Sequence, residues 1–438
     1  MRIHLGIDDT DSPAGGCTTR IAANLVLTLE SKGVAFLDYP NLIRLNPNVP
    51  WKTRGNGAVC LRIESALSAE EVLELAAEEI ERSSRLGDPG TDPGIVVLVD
   101  PIPSGIAEFG REALTRVVTP DEAVSAIAEV GAEALSYGST QGLVGALAAI
   151  GTPLEDDYTF ELIAYRSNNF IGKPRLVDKE SVLRMNEEMR EVTFNNVDPE
   201  TGRILITPRG PDPILCGVRG ESPEAVHKAF RMLRIREPVE AWMIFKTNQG
   251  TDAHLTRRYR VAELQDHSAV VVEGVVKRKP HTIRGGHVIF LLEDETGSVC
   301  CAAYEPTGRF REIVRKLEPG DRVRGYGGMR AADRETPKTL NIEKLKILNL
   351  VACMSSHNPI CANCGKRMKS AGRKQGYRCE HCKSHATSKV QQEVGRDLEE
   401  RAYLPPPRAH RHLTKPEVRY LRTPAGISSP PSSEWHLP

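Results

Sequence analysis

No stretch of the 438 residues approaches the ~18 uninterrupted apolar residues that a membrane helix requires, which excludes a helical membrane span. The opening Met1-Arg2-Ile3-His4-Leu5-Gly6 runs straight into acidic residues, so the apolar core of a secretory signal is missing. The expectation is a cytoplasmic protein with no membrane partner. No internal repeat is present, and nothing in the sequence demands an obligate protein partner. Net charge is lacking as well, because 58 Lys and Arg balance 58 Asp and Glu. That balance hides an asymmetry: residues 1–150 hold 21 acids against 11 bases, and residues 353–438 hold 7 against 15. An acidic head suits a divalent metal bound with a nucleotide, and a basic end suits a polyanion. Of ten cysteines, four fall in one paired cluster and the rest are scattered, which fits a reducing compartment better than a disulfide framework.

At this length the chain should divide into three or four domains. Ile3, Leu5 and Ile7 alternate as in a strand, and Ile21, Leu25 and Leu29 recur as on a helix, so the acidic segment between them is a strand-to-helix loop. Further strands are expected at 33–45, 57–64 and 95–100, with a helix near 69–82. Another helix starts at Thr119-Pro120-Asp121-Glu122, where a Thr cap, a Pro in the first turn and a Glu three residues on form a capping box. These make an α/β head over 1–150. A smaller α+β unit follows over 151–260, with strands at 159–166 and 203–208 and a helix at 223–234. From 268 to 352 five strand-like runs, with one helix between the third and fourth, predict an OB-type barrel. A cysteine-rich block over 353–395 and a basic, Pro-rich tail over 396–438 complete the chain, with 428–438 expected to be disordered.

The spacing Cys361-x-x-Cys364, fourteen residues, Cys379-x-x-Cys382 offers four thiolates to a structural Zn²⁺. Around the pairs, seven bases (Lys366, Arg367, Lys369, Arg373, Lys374, Arg378 and Lys383) stand against one acid, Glu380, with Tyr377 available to stack on a base. Nucleic acid is the expected partner. Lys277, Arg278, Lys279, His281 and Arg284 in the first barrel loop point the same way, although a solvated turn has the same composition.

In the head, Asp8, Asp9 and Asp11 repel one another unless a cation lies between them, which suggests Mg²⁺ with ATP. A plain turn with a helix cap uses the same residues. Thr18, at the start of the following helix, is either a cap or a phosphoryl acceptor. Lys52 and Arg54, with Gly55 and Gly57 permitting close backbone approach, suit a phosphate-gripping loop, and a β-connection is the alternative. The small-residue run 142–149 lacks the Lys of a Walker loop and fits close helix packing as well as ligand contact.

Taken in order, GIDDTDSPAGGCTT (6–19), LIRLNPNVPWKTRGNGA (42–58), GLVGALAAIG (142–151), ELIAYR (161–166), PILCGVRGE (213–221), TNQGTDAH (247–254) and PPPRAHRHLTKP (405–416) resemble the archaeal 2-agmatinylcytidine synthetases acting on the minor isoleucine tRNA. The resemblance spans roughly residues 1–420. It implies a multidomain α+β protein: a kinase-like catalytic head, a ferredoxin-like domain, an OB-fold barrel and a zinc ribbon. The implied reaction uses ATP to phosphorylate the C2 oxygen of the wobble cytidine in a CAU anticodon; agmatine then displaces phosphate, AMP is released, and the tRNA reads AUA. It also implies that Asp8, Asp9 and Asp11 hold Mg²⁺ and the triphosphate, that Thr18 becomes phosphorylated, and that barrel, ribbon and tail clamp the tRNA. Asp212 is the candidate partner of the agmatine guanidinium. The competing reading is a non-catalytic, nucleotide-gated tRNA-binding protein.

Overall fold

In the computed structural model, which describes residues 1–12, 14–52, 55–422, 430–431 and 434–437, the alternation Ile3-Leu5-Ile7 forms the strand β1 (Arg2–Asp8), its apolar side chains fully buried. The helical spacing after it becomes α1 (Thr18–Ser31). The head continues with β2 (Ala35–Phe36), β3 (Asn41–Arg44), β4 (Gly57–Glu64), α2 (Ala69–Ser83), β5 (Gly94–Val99), α3 (Ser104–Thr115), α4 (Pro120–Val130), β6 (Glu133–Ser136) and α5 (Gln141–Ile150). The helix α4 carries the expected capping box, with the Thr119 hydroxyl accepting from the Glu122 amide and Glu122 accepting from the Thr119 amide. The second unit contributes β7 (Thr159–Arg166), α6 (Lys179–Glu188), β8 (Thr193–Phe194), β9 (Ile214–Gly220), α7 (Pro223–Arg231) and β10 (Val239–Thr247).

These two units share one sheet. Its order is β6-β5-β1-β4-β3-β10-β7-β9-β8, and neighbours are antiparallel except at the seam, where β10 runs parallel to β3 through Lys246 opposite Asn41 and Thr247 opposite Leu42. One hydrophobic core runs from Ile3 to Phe245 across the seam. Both units therefore present strand ends and loops to a common cleft. The strand expected at 203–208 is not one: among the described residues there is only an isolated bridge between Ile204 and Val197. Pro208, Pro211 and Pro213 leave few amides for a ladder there.

The barrel is closed. Strands β11 (Ala269–Thr282), β12 (Val288–Asp294), β13 (Gly297–Ala303), β14 (Arg322–Arg330) and β15 (Thr339–Asn349) pair in the order β13-β12-β11-β14-β15, and β13 also pairs with β15. The expected helix is α8 (Phe310–Arg315). Lys277, Arg278, Lys279 and His281 belong to the long strand β11 rather than to a loop, because the ladder with β12 continues to Thr282 across two irregularities. After the barrel, Cys353–His357 pairs antiparallel with Val390–Val394, forming a two-stranded stalk that carries the cysteine ribbon at its end.

The tail is structured where it is described, contrary to the expectation of disorder. His436–Leu437 adds as a strand to β10 opposite Trp242 and Met243, on the stretch of that strand which β3 leaves unpaired. Trp435 is buried against Phe36 and Tyr39, with ring centroids 5.5 and 6.1 Å away. Polar composition misled because a single indole and an unpaired stretch of strand suffice to dock a short segment. Residues 428–429, 432–433 and 438 of that expectation lie outside the described residues.

Candidate active site

Asp8 ends the central strand β1, and the chain turns at Asp9 with φ of 57°, a left-handed conformation that Asp tolerates better than most residues. The turn is held by its own hydroxyls and amides. Thr91 Oγ1 donates to the Asp11 carbonyl at 2.8 Å, the Thr18 amide donates to Asp11 Oδ1 at 3.0 Å, and Thr10 Oγ1 donates to Thr18 Oγ1 at 3.0 Å. Thr18 therefore keeps its own hydroxyl proton for another acceptor, on the first turn of α1. Beneath Asp8 lies α5, where the small-residue run lets the helix sit directly on the strand: a Cβ at Gly6 would fall 2.1 Å from the Ala146 carbonyl oxygen. The run is thus a packing surface, and its first turn also lines the cleft through Gln141, Val144 and Gly145.

One cavity of about 550 Å³ is lined by Asp8, Asp9, Asp11, Thr18, Lys52, Gly55, Gly57 and Asp212 together. A fourth carboxylate, Asp92, completes the acidic wall; it accepts from the Ser139 amide at 3.0 Å. Burial, reinforced by the neighbouring Asp9 and Asp11, pushes the Asp8 carboxyl well above the usual range. Burial, then Asp92 and Asp11, raises Asp9 to about 7. Carboxyls so placed are relieved either by holding protons or by sharing a cation.

Two arginines line the same cavity. Arg44 ends β3 and Arg219 lies on β9, and both reach Glu161 of β7: Arg219 Nε at 3.0 Å from Oε1 and Arg44 Nη2 at 3.9 Å from Oε2. Gln249 Nε2 also donates to Glu161 Oε2. This leaves Gln249 Oε1 to accept from His412 Nδ1 at 2.9 Å, which fixes the proton on Nδ1 and turns the Nε2 lone pair toward the cavity. The Arg44 charge first, then burial, drives the His412 pKa well below its ordinary value, so the imidazole is neutral. A Cβ on Gly55 would fall 2.7 Å from Arg44 Nη1 and 2.8 Å from His412 Nε2. The close approach that this glycine permits is therefore to the protein's own cations and imidazole.

The remaining expected residues divide. Lys52 is in the cavity, where Nζ donates to the Val49 carbonyl at 3.1 Å, and burial and Arg411 lower its pKa. Arg54 lies outside the described residues. Asp212 is buried and accepts at Oδ1 from Arg175 Nη2 at 3.2 Å, so it already holds a guanidinium from the protein itself. Asp92, Arg44, Glu161, Arg219 and His412 were not singled out from the sequence. All but Asp92 lie inside the quoted segments, which was the available signal; only the fold assigns them to one cavity.

The tail's cations are used internally. Arg408 pairs with Asp198 and Glu200 at 2.9 and 2.7 Å, Lys415 with Asp157 at 2.8 Å, and the buried Arg419 with Asp157 and Glu221, each at 2.8 Å. Arg411 bridges Glu343 of the barrel and the Pro47 carbonyl of the head, at 2.8 and 2.9 Å. These residues brace the head and deliver His412.

In the ribbon, ligand atoms of Cys361, Cys364, Cys379 and Cys382 all lie within 4.8 Å of one another. Tetrahedral zinc with Zn–S of ~2.3 Å places sulfurs about 3.8 Å apart, and the Cys364 to Cys379 separation is 3.6 Å. The four thiols fit a structural zinc ion. Lys366, Arg367, Arg373, Lys374 and Arg378 are exposed around them, and Tyr377 is half-buried against the ribbon's own core.

A cleft lined by acidic and cationic side chains, joined to an OB barrel and a zinc ribbon, defines a class of enzymes that bring phosphoryl chemistry to a nucleic acid. Family models match as TiaS TCKD domain over residues 4–68, TiaS FLD domain over 140–254, OB-fold nucleic acid binding domain over 270–348 and TiaS C-terminal zinc ribbon domain over 358–398. The chain is 41% identical over 419 residues to TiaS of Archaeoglobus fulgidus, the 2-agmatinylcytidine synthetase of the second isoleucine tRNA, covering 96% of this chain and 98% of that one. It is similar to the crystal structure of TiaS in complex with that tRNA and ATP, with TM-score 0.87, 39% identity and coverage of 98% and 100%. It is also similar to the complex of TiaS with the tRNA, AMPCPP and agmatine, with TM-score 0.84, 37% identity and coverage of 98% and 100%. The chain belongs to the TiaS family of tRNA 2-agmatinylcytidine synthetases. Among the described residues no helix is long and apolar enough to cross a membrane.

Proposed function

We propose that the protein is a cytoplasmic enzyme that conjugates agmatine to C2 of the wobble cytidine in the CAU anticodon of the minor isoleucine tRNA, consuming ATP. The observation that carries the reading is the single cavity that gathers Asp8, Asp9, Asp11 and Asp92 with Arg44, Arg219 and Lys52, and that Thr18 also lines. The acidic wall suits Mg²⁺, held by Asp8, Asp9 and Asp11, which when bound shields the triphosphate charge. The arginines and Lys52 suit phosphate oxygens; Arg54, Gly55 and Gly57 belong to the same sequence segment. Thr18, at the positive end of α1 and with its proton uncommitted, is the phosphoryl acceptor in this reading.

The chemistry balances without a redox step. A phosphoryl group moves to the cytosine C2 oxygen, which turns a poor leaving group into a good one. The agmatine amine attacks C2, the C2–O bond breaks and that phosphoryl group departs as phosphate; the second phosphoryl group lost by ATP passes to water as phosphate, the amine loses a proton and the nucleotide ends as AMP. The cytosine must leave its stack to reach the cavity. For the agmatine guanidinium we place Asp212 at the seam, in competition with Arg175. The exposed bases of the ribbon face, with Tyr377, provide tRNA contact. The test is direct: purified protein with ATP, agmatine and an isoleucine tRNA transcript bearing CAU is expected to release AMP and add one agmatine, read by mass spectrometry of the digested nucleoside. Unchanged cytidine would overturn the assignment. Asp9→Asn is expected to abolish product and leave tRNA affinity near native.

A further inference from the structure

Trp51 stands at the rim of the catalytic cavity with 56% of its surface exposed. The chain has three tryptophans, and Trp435 is packed into the core. Leaving an indole in water forfeits the burial that such a large ring otherwise contributes. Its loop is nonetheless not loose. The buried Asn46 donates from Nδ2 to the His267 carbonyl at 2.8 Å, and its Oδ1 accepts from the amide and the Nδ2 of Asn48, both at 3.0 Å. Asn56 Nδ2 donates to the Asn46 carbonyl at 2.8 Å. The Asn48 side chain lies against Gly328 of the barrel, and Arg411 holds the Pro47 carbonyl. Pro47 and Pro50 restrict the backbone on the approach to the ring. Head, barrel and tail thus converge to hold one turn in place, and that turn presents an exposed flat ring where the cavity opens.

The chemistry of the surroundings narrows what the ring meets. Lys52, the next residue, lines the same cavity, whose depth carries the acidic and arginine walls. No other large exposed apolar side chain lies within the 46–57 segment among its described residues, so the segment presents one ring rather than an apolar run. A lone π face beside cations fits one base of a single-stranded loop.

We propose that Trp51 is a stacking platform for a base of the substrate's anticodon loop, offsetting the stacking lost when the target cytidine leaves the loop and enters the cavity. The inference rests on the tRNA reading above. Loop placement from both barrel and head sets the distance between the stacked base and the phosphoryl chemistry, so register along the RNA is built into the joint between domains.

Native protein, Trp51→Phe and Trp51→Ala are compared for tRNA dissociation constant by anisotropy of labelled transcript, for ATP affinity, and for indole emission on adding tRNA. Trp51→Ala is expected to weaken tRNA binding roughly tenfold to a hundredfold, and Trp51→Phe only a few-fold. ATP affinity stays native in both. Because stacking releases no counterions, the slope of log affinity against log salt stays unchanged, whereas loss of a phosphate contact flattens it. Quenching of indole emission by tRNA is present in native protein and absent from Trp51→Phe. Native tRNA affinity in Trp51→Ala, a flattened salt slope, or an equal loss of ATP affinity would each overturn the proposal. Product formation by native protein is measured in parallel: its absence overturns the agmatine-conjugating reading, while product with an unaffected Trp51→Ala overturns only the platform.

Discussion

A Cβ placed on Gly145 would fall 1.7 Å from Oδ2 of Asp8, so the helix α5 and the end of β1 meet with no room for a side chain. Replacing Gly145 with Ala sets two effects against each other. Helix propensity favours Ala by about 1 kcal/mol, and overpacking costs about 1–3 kcal/mol. Asp8 must move to relieve the clash, and it is a cavity carboxylate. The expected outcome is a net stability change within about 2 kcal/mol of zero by denaturant titration, with single-turnover product formation down on the order of a hundredfold. Native turnover in Gly145→Ala would show that the position of Asp8 is immaterial.

The acidic wall sets a pH dependence whose sign follows from its shifts. Asp9 is raised to about 7 and Asp8 well above the usual carboxylate range, by burial first and neighbouring carboxylates second. A raised folded-state value means that the folded protein holds these protons more tightly than the unfolded chain. The contribution is therefore complete below the ordinary carboxylate range, near ~pH 4, and is lost as pH rises through about 7. Without divalent metal, the melting temperature is expected to fall over this window. Mg²⁺ with a non-hydrolysable ATP analogue should remove the fall and release protons near ~pH 6.5, measured by calorimetry in buffers of different ionisation enthalpy. Binding without proton release would contradict a metal seat on these groups.

Thr18 is buried, with its oxygen accepting from Thr10. Thr18→Ser retains the hydroxyl and the hydrogen bond; Thr18→Ala removes both. The former is expected to keep product formation within about tenfold of native, and the latter to lose it by at least about a hundredfold with ATP affinity changed only a few-fold. Intact-protein mass spectrometry after incubation with ATP reads the phosphoryl adduct directly. Equal activity of native and Thr18→Ala would remove Thr18 from the chemistry.

His412 reaches the cavity from the tail and aligns Gln249, which in turn holds Glu161 between Arg44 and Arg219. Truncation to Ala leaves a buried amide oxygen without its donor, which costs about 1–3 kcal/mol. His412→Ala is expected to lower the unfolding free energy by that amount and to raise the KM for ATP more than the KM for tRNA, since the displaced groups are the arginine wall. His412→Asn, which can still donate to Gln249, should recover most of the ATP KM. A selective tRNA defect would argue that His412 contacts the RNA instead.

Zinc removal separates the ribbon from the head. Chelation, or Cys361→Ser, is expected to abolish bound zinc and to weaken tRNA binding, while ATP affinity remains native, because the ribbon sits at the end of its own stalk. Metal content by emission spectroscopy and parallel ATP and tRNA titrations check this. Loss of ATP binding would show that the ribbon supports the head.

Local physics made much of the chain legible. The alternation Ile3-Leu5-Ile7, the spacing Ile21-Leu25-Leu29, the box at Thr119–Glu122 and the cysteine pairs each depend on neighbours a few residues away, where period and cap chemistry act. Asp8, Asp9, Asp11 and Thr18 were readable as a candidate site for the same reason: one turn carries them. What tertiary structure alone decided is the rest of the site. Arg44, Glu161, Arg219, Gln249 and His412 come from five separate segments, and no periodicity links them. They meet because β10 joins β3 in parallel, fusing two units into one sheet, and because the tail returns across the seam. Charge composition described the tail as basic and suited to a polyanion. Burial and pairing made it a brace, since a carboxylate buried without its arginine would be left an uncompensated charge. The acidic loop was visible in one dimension; its function as half of a cavity depends on contacts that only a folded chain can make.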